Sequence, residues 1–301
     1  VYRCWNHRCW TGCWRPGSDV TTADWWRSRP PTGKPGKAIV PEGDTLHILA
    51  RAMRPGLEAQ TVERLWLRGQ SPGRCDALRV DRVYAHGKHL FLEFSHGRTL
   101  RCHLGMHGDW HRYPVGAVWK KPVRQASMVI ETARLVYVCF NAKETEWMST
   151  EGIRRRTLAA RIGPDLLGAR IQWGRLEQRL LAFSERHTPL CDLLLDQRIA
   201  SGIGNVYKSE ILFLHNHHPL TARGDVEAGE LVNLYRNARR LLQSNLRGGR
   251  RVTRFVSDAR GSLWVYGRRL EPCLVCGAPI QSRAMGQHLR PTYWCCACQP
   301  E

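Results

Sequence analysis

The sequence predicts an α+β multidomain protein: an antiparallel β-sandwich or barrel first, a helical domain second, and a four-cysteine module last. Three observations carry this. Apolar residues alternate with polar ones along 78–140, the period of half-buried strands. They repeat at helical spacing along 175–246. The last 29 residues hold five of the 12 cysteines.

At 301 residues the chain has ample length for more than one core. A formal charge of +20 favours a polyanionic partner, nucleic acid or an anionic membrane surface. No apolar run approaches the ~18 residues of a membrane span, and no basic amphipathic helix with a large apolar face supports surface binding. Nucleic acid leads. Three cysteines (Cys4, Cys9, Cys13) lie near the start and four (Cys75, Cys102, Cys139, Cys191) through the body. This distribution fits a cytosolic metal site plus buried thiols better than a secreted disulfide framework.

Residues 1–40 are tryptophan- and arginine-rich without periodicity and have no secretory h-region. They read either as a disordered extension or as sequence upstream of a mis-assigned start. Val40 favours the second: a GTG codon reads as Val internally and as Met at initiation. Removal of that Met exposes Pro41, in Pro41-Glu42-Gly43-Asp44-Thr45. At a free terminus Pro41 is a secondary amine able to attack a sugar C1′; inside a chain it is an inert amide. Glu42 brings a carboxylate beside it.

Asp44 or Thr45 caps a helix whose apolar face is Leu46, Leu49, Ala50 and Met53, ended by Pro55-Gly56. Strands follow at Leu78–Val80 and Leu90–Phe94, with a turn at Ser95–Arg98 and a strand over 99–104; a second hairpin joins 128–130 to 135–140. Lys88 begins a strand, where its ammonium can meet a phosphate or a developing charge. Met106, in the glycine-spaced loop His103–Gly108, suits an apolar wedge that fills the hole left by an extruded base.

Gly163-Pro164-Asp165 reads as a linker. Helices are expected over 175–184, 190–199, 206–214 and 227–246. Between them, Gly202-Ile203-Gly204-Asn205 forms a tight turn into a helix, whose free N–H groups are a ready phosphate site with Asn205 adding a side-chain bond. Last, Cys273-x-x-Cys276, 18 residues, then Cys295-x-x-Cys298 supplies four thiolates from two turns, a set that suits structural Zn²⁺ and leaves no position for a catalytic water. Cys296 is spare. Residues 287–294 form a hairpin between the knuckles, with Arg290 at its tip.

In order along 41–301, these motifs resemble the formamidopyrimidine-DNA glycosylase/endonuclease VIII family: Pro-Glu-Gly, Gly-Lys on a strand, His-Leu-Gly-Met, Asp-Gln…Gly-Ile-Gly-Asn and the four-cysteine finger. Tyr266-Gly267-Arg268 and Arg290-Pro291 match as well. The resemblance implies a catalytic sandwich (41–160), a helix–two-turns–helix domain (164–265) and a zinc finger (266–301), with one Zn²⁺ per chain. It implies a bifunctional DNA glycosylase and AP lyase acting as a monomer on damaged double-stranded DNA in the cytoplasm, at the nucleoid. By resemblance Pro41 is the nucleophile, Glu42 the general acid/base and Lys88 the lysine needed for excision. Asn205 and Arg290 grip phosphates, and elimination at both phosphates leaves a one-nucleotide gap.

Where some members carry a second glutamate, this chain has Thr45 preceded by Asp44. Pro-Glu-Gly-Asp-Thr and Gly-Lys-His-Leu-Phe look like the actinobacterial endonuclease VIII branch, which favours oxidised pyrimidines; Met106 keeps oxidised purines open. A non-catalytic DNA-binding module is the competing reading if Pro41 stays acylated.

Overall fold

The computed structural model describes residues 40–69, the backbone of 73–74, and residues 78–301. The expectations for 1–39, and for Cys75, fall outside them.

Helix α1 (Gly43–Leu57) buries Leu46, Leu49, Ala50 and Met53, the face its spacing predicts, and also Leu57, beyond the expected end. Its cap differs from expectation. Glu42 is the N-cap, and its N–H donates to Thr45 Oγ1 at 3.3 Å. The helix also runs through Pro55-Gly56. The Glu58 N–H closes the last turn on the Arg54 carbonyl at 2.9 Å, so the proline does not break it.

Nine strands follow: β1 (Arg64–Leu67), β2 (Gly73–Arg74), β3 (Val80–His86), β4 (His89–Phe94), β5 (Arg98–His103), β6 (Asp109–Pro114), β7 (Ala126–Glu131), β8 (Leu135–Phe140) and β9 (Glu144–Ser149). They make two antiparallel sheets, β2-β1-β7-β8-β6 and β3-β4-β5-β9. The architecture is therefore a sandwich and not a barrel. Both expected hairpins are present, with Phe94 paired to Arg98 and Glu131 to Val136. The sequence reading missed β1, β2, β6 and β9. In β9 only Met148 is buried, so this edge strand has little apolar alternation to detect. Helix α2 (Ile153–Arg161) was missed for the same reason: none of its residues is buried.

Side chains from α1 and the inner faces of both sheets form one core, including Leu46, Met53, Leu92, Leu100, Ile130 and Tyr137. Cys102 and Cys139 face each other within it, sulfurs 3.7 Å apart, as buried thiols.

The second core belongs to α3 (Trp173–Phe183), α4 (Leu190–Leu195), α5 (Asn205–Leu214) and α6 (Ala228–Ser244). The pattern over 190–199 predicts a longer α4. The helix stops at Leu195 because Asp196 Oδ1 accepts the Arg198 N–H and turns the chain. A two-stranded hairpin, β10 (Ile280–Met285) and β11 (Arg290–Cys295), completes the fold with a small core around Val265 and Ile280.

The two large units meet where the N-terminus of α1, the β3–β4 turn and the loop 201–204 converge. Asp165 ties this seam together. Its Oδ2 accepts the Gly87 N–H at 2.9 Å and contacts His47 Nε2 at 2.7 Å, while Oδ1 accepts the Leu167 N–H at 2.9 Å. Burial opposes the Asp165 charge, yet these partners hold its carboxyl below the usual range.

Candidate active site

Glu42 is fully buried at the seam. Its Oε2 accepts the Gly204 N–H at 2.8 Å and its Oε1 the Val206 N–H at 2.7 Å; the Tyr207 N–H lies at 3.4 Å. These are the first-turn donors of α5, which have no partners within the helix. The sequence reading left them free for a DNA phosphate, and the structure corrects that expectation. An internal carboxylate from the other unit, 162 residues away, already fills the anion site. Residue 204 must be glycine for this to happen, since a Cβ there would stand 2.5 Å from the Glu42 carboxyl carbon. Burial pushes the Glu42 carboxyl up, against the pull of Arg251, Lys88 and the Val206 amide.

Lys88 is the second residue of the tight β3–β4 turn, one position before β4 and not in the strand itself. Gly87 supplies the positive φ of +55° that the turn needs, and its missing side chain lets the turn press on Ser201. The Lys88 ammonium lies within the field of Glu42, Arg251 and Arg290. Burial lowers its pKa to about 8; Glu42 opposes the shift, while Arg290 and Arg251 add to it.

Met106 sits in the β5–β6 turn, 42% exposed. Arg290 is the first residue of β11, just after the finger's turn, and its Nη1 reaches the Met106 sulfur at 3.7 Å. These two residues, 184 positions apart in the chain, form one exposed lip. Asn205 is the first residue of α5 and is buried; Lys208 Nζ lies 3.5 Å from its Oδ1. The structure therefore joins Glu42 and Lys88 in one electrostatic cluster and Met106 and Arg290 in another contact, with Asn205 beside the Glu42-capped turn.

Several residues here escaped the sequence reading. Arg251 clamps Asp44 through Nη2 at 2.6 Å and Nε at 2.8 Å. It stacks over the Tyr207 ring at 5.0 Å, and Tyr207 itself donates to Asp44 at 2.8 Å. Burial works against the Arg251 charge, but Asp44 and Glu42 more than offset it and hold the guanidinium above its usual range. Lys208 is fully buried and donates to Thr292 Oγ1 at 2.7 Å and the Pro291 carbonyl at 3.2 Å, linking α5 to the finger. Burial lowers its pKa to about 8. Glu210, also buried, accepts the backbone N–H groups of Trp264, Val265 and Tyr266 at 2.7–2.9 Å. The local signal for these three was a charged residue on an otherwise apolar stretch of α5, or in a basic loop, and neither names its partner.

In the finger, the sulfurs of Cys273, Cys276, Cys295 and Cys298 all lie within 4.8 Å of one another. Ligand sulfurs around a tetrahedral metal with ~2.3 Å bonds stand roughly 3.8 Å apart. The Cys273–Cys298 and Cys276–Cys295 separations of 3.9 and 3.4 Å bracket that value, so the set can hold a metal ion.

Fold and site together define a two-unit protein of the H2TH class, a β-sandwich locked to a helical domain through a buried carboxylate. Residues 40–156 match the formamidopyrimidine-DNA glycosylase N-terminal domain and residues 162–257 the formamidopyrimidine-DNA glycosylase H2TH domain. The chain belongs to the formamidopyrimidine-DNA glycosylase/endonuclease VIII family. It is 35% identical over 266 residues to the DNA-(apurinic or apyrimidinic site) lyase Nei2 of Mycolicibacterium smegmatis, covering 86% of this chain and 99% of that one. It is 32% identical over 271 residues to endonuclease 8 2 of Mycobacterium tuberculosis, covering 86% and 100%. Among solved structures, the Lactococcus lactis formamidopyrimidine-DNA glycosylase non-covalently bound to DNA with an AP site superposes with a TM-score of 0.71 at 21% identity, covering 86% and 100%.

Proposed function

We propose that this chain is a bifunctional DNA glycosylase and AP lyase of base excision repair that removes oxidised bases, pyrimidines in preference. The observation that carries this is the junction at Glu42: the residue after Pro41 is buried in the seam, anchored to α5, and shares its field with Lys88. The names of the relatives, an AP lyase and endonucleases 8, support the same chemistry. The match to the N-terminal domain of the family begins at residue 40, beside Pro41, and this reading takes Pro41 as the amine that reacts.

In this reading the Pro41 amine attacks C1′ and the base leaves. The C1′–O4′ bond then breaks and an iminium links Pro41 to the sugar. Glu42 serves as general acid/base, suited to the proton-donor half by its raised pKa. Lys88, pushed to about 8, is charged at neutral pH and stabilises charge at the reacting centre. Loss of a C2′ proton expels the 3′ phosphate, and a second elimination expels the 5′ phosphate. Arg290 and Asn205 hold phosphates, and Met106 fills the space of the extruded nucleotide. One chain supplies every residue named, so a monomer suffices. The functional parts are 41–160, 164–265 and 266–301. DNA as substrate puts the protein at the nucleoid, in the bacterial cytoplasm; no helix among the described residues is long and apolar enough to cross a membrane.

The test is single-turnover base release from duplexes that each carry one oxidised pyrimidine or one oxidised purine. Faster release of the pyrimidines is expected. Release of neither class by protein beginning at Pro41 would end the glycosylase assignment; a purine preference would move it to the other branch.

The metal we assign to the four cysteines is Zn²⁺, one per chain, with a structural role. Four thiolates leave no open position for chemistry. A two-stranded hairpin is marginal by itself, and structural zinc supplies about 10–16 kcal/mol in finger peptides. Stripping the metal is therefore expected to unfold 273–298, release Lys208 and Arg290 from their partners and weaken DNA binding by at least about tenfold. Elemental analysis of the purified protein together with a gel-shift titration before and after chelation checks this. Tight binding by metal-free protein would contradict it.

A further inference from the structure

We propose that Arg251 is a catalytic residue: its Nη1 donates a hydrogen bond to the sugar oxygen on C1′ while the ring opens. This rests on the reading that Pro41 attacks C1′.

The position of that oxygen is recorded by the peptide bond to Val40. The Pro41 nitrogen carries the Val40 carbonyl carbon, a trigonal centre with one oxygen and one carbon as its other heavy neighbours. In the reaction the same nitrogen carries C1′, whose other heavy neighbours are O4′ and C2′. The amide carbonyl thus stands in for the sugar carbon and its oxygen. Arg251 Nη1 donates to that carbonyl oxygen at 3.2 Å.

The donor is fixed before any substrate arrives. Nε and Nη2 are held by the Asp44 carboxylate at 2.8 and 2.6 Å, and Nη2 also donates to Thr45 Oγ1 at 3.1 Å. The Tyr207 ring supports the guanidinium at 5.0 Å. Only Nη1 is directed to the group on the Pro41 nitrogen. A donor held rigidly where negative charge develops stabilises it without reorganisation.

The step balances without a further reactant. Attack leaves the Pro41 nitrogen with four bonds, and the Glu42 carboxylate takes its proton; the lone pair so freed forms the C1′=N bond, the C1′–O4′ bond breaks, and its electron pair goes to O4′. Protonated Glu42 delivers the proton to O4′. Arg251 keeps its own protons, as guanidinium does in proteins, and lowers the cost of the charge on O4′ until the proton arrives.

The experiment compares two DNA duplexes with metal-replete protein beginning at Pro41, which contains every described element. One carries a natural closed-ring abasic site. The other carries an acyclic aldehyde linker with no ring oxygen to open. Borohydride trapping measures imine formation on each. Arg251→Met is expected to slow trapping on the closed ring by about 10²–10³-fold and to leave the acyclic aldehyde within a few-fold of wild type. Equal slowing on both, or slowing on neither, overturns the role. If Arg251→Met does not fold, Arg251→Lys keeps a cation on Asp44 and carries the same comparison. Selective slowing on the closed ring again supports the role, and any other pattern overturns it. Wild-type protein that traps neither duplex would refute the Pro41 reading, and this inference with it.

Discussion

Protein beginning at Pro41 is expected to give a borohydride-stable adduct with abasic DNA, and protein beginning at Val1 to give none through Pro41. The reason is electronic. With Val40 attached, the Pro41 nitrogen is an amide whose lone pair is delocalised into the carbonyl. Without it, the same atom is a secondary amine with an available lone pair. The fold does nothing to weaken that amide, since Arg251 anchors the Val40 carbonyl oxygen at 3.2 Å. The effect should be a fall to background. One competing amine lies close by: Lys88, with its pKa lowered to about 8, has a neutral fraction at working pH. Peptide mapping of any trapped adduct therefore decides the matter. Sugar on Pro41 supports the mechanism. A Val1 protein that traps as fast as the Pro41 protein, with the sugar on Lys88, would sink it.

The second large effect is expected from Glu42→Gln. A general acid/base contributes about 10²–10⁴-fold, so base release should fall by that amount. Because burial raises the Glu42 pKa, the protonated form persists to higher pH than in an ordinary carboxyl. Wild-type release should decline as pH rises through that pKa, and the glutamine variant should lose this limb. The same change also strains the joint between the two units. Both Glu42 oxygens accept backbone N–H groups of α5. Glutamine keeps one acceptor and turns an NH2 toward the other donor. An unsatisfied buried donor costs about 1–3 kcal/mol, which lowers the melting temperature of a chain this size by roughly 2–4 °C per kcal/mol. Single-turnover base release and calorimetry on one preparation separate the two effects. A lower melting temperature with an unchanged rate would make Glu42 a joint and nothing more.

The residues legible in the sequence share one property: their meaning is carried by near neighbours. Two CxxC turns present paired thiolates whatever surrounds them, and the structure brings all four sulfurs together. The hairpins at 95–97 and 132–134 show in the alternation on either side. The α1 face follows from spacing, and only its ends moved. Pro41-Glu42 drew attention because of the chemistry a terminal proline would have. Strand β9 and helix α2 went unseen because they bury almost nothing.

By itself, then, the sequence determined the order of parts, the metal-ligand set and the pair of residues on which the chemistry is proposed to turn, since each is written in short-range spacing. Tertiary structure alone decided what those residues touch. Glu42 caps a helix 162 residues away, Arg251 grips Asp44 across 207 residues, and Arg290 meets Met106 across 184. Such pairs leave no period in the chain. A charge buried from water must find a partner wherever the fold puts one, and only packing two cores against each other reveals which partner that is.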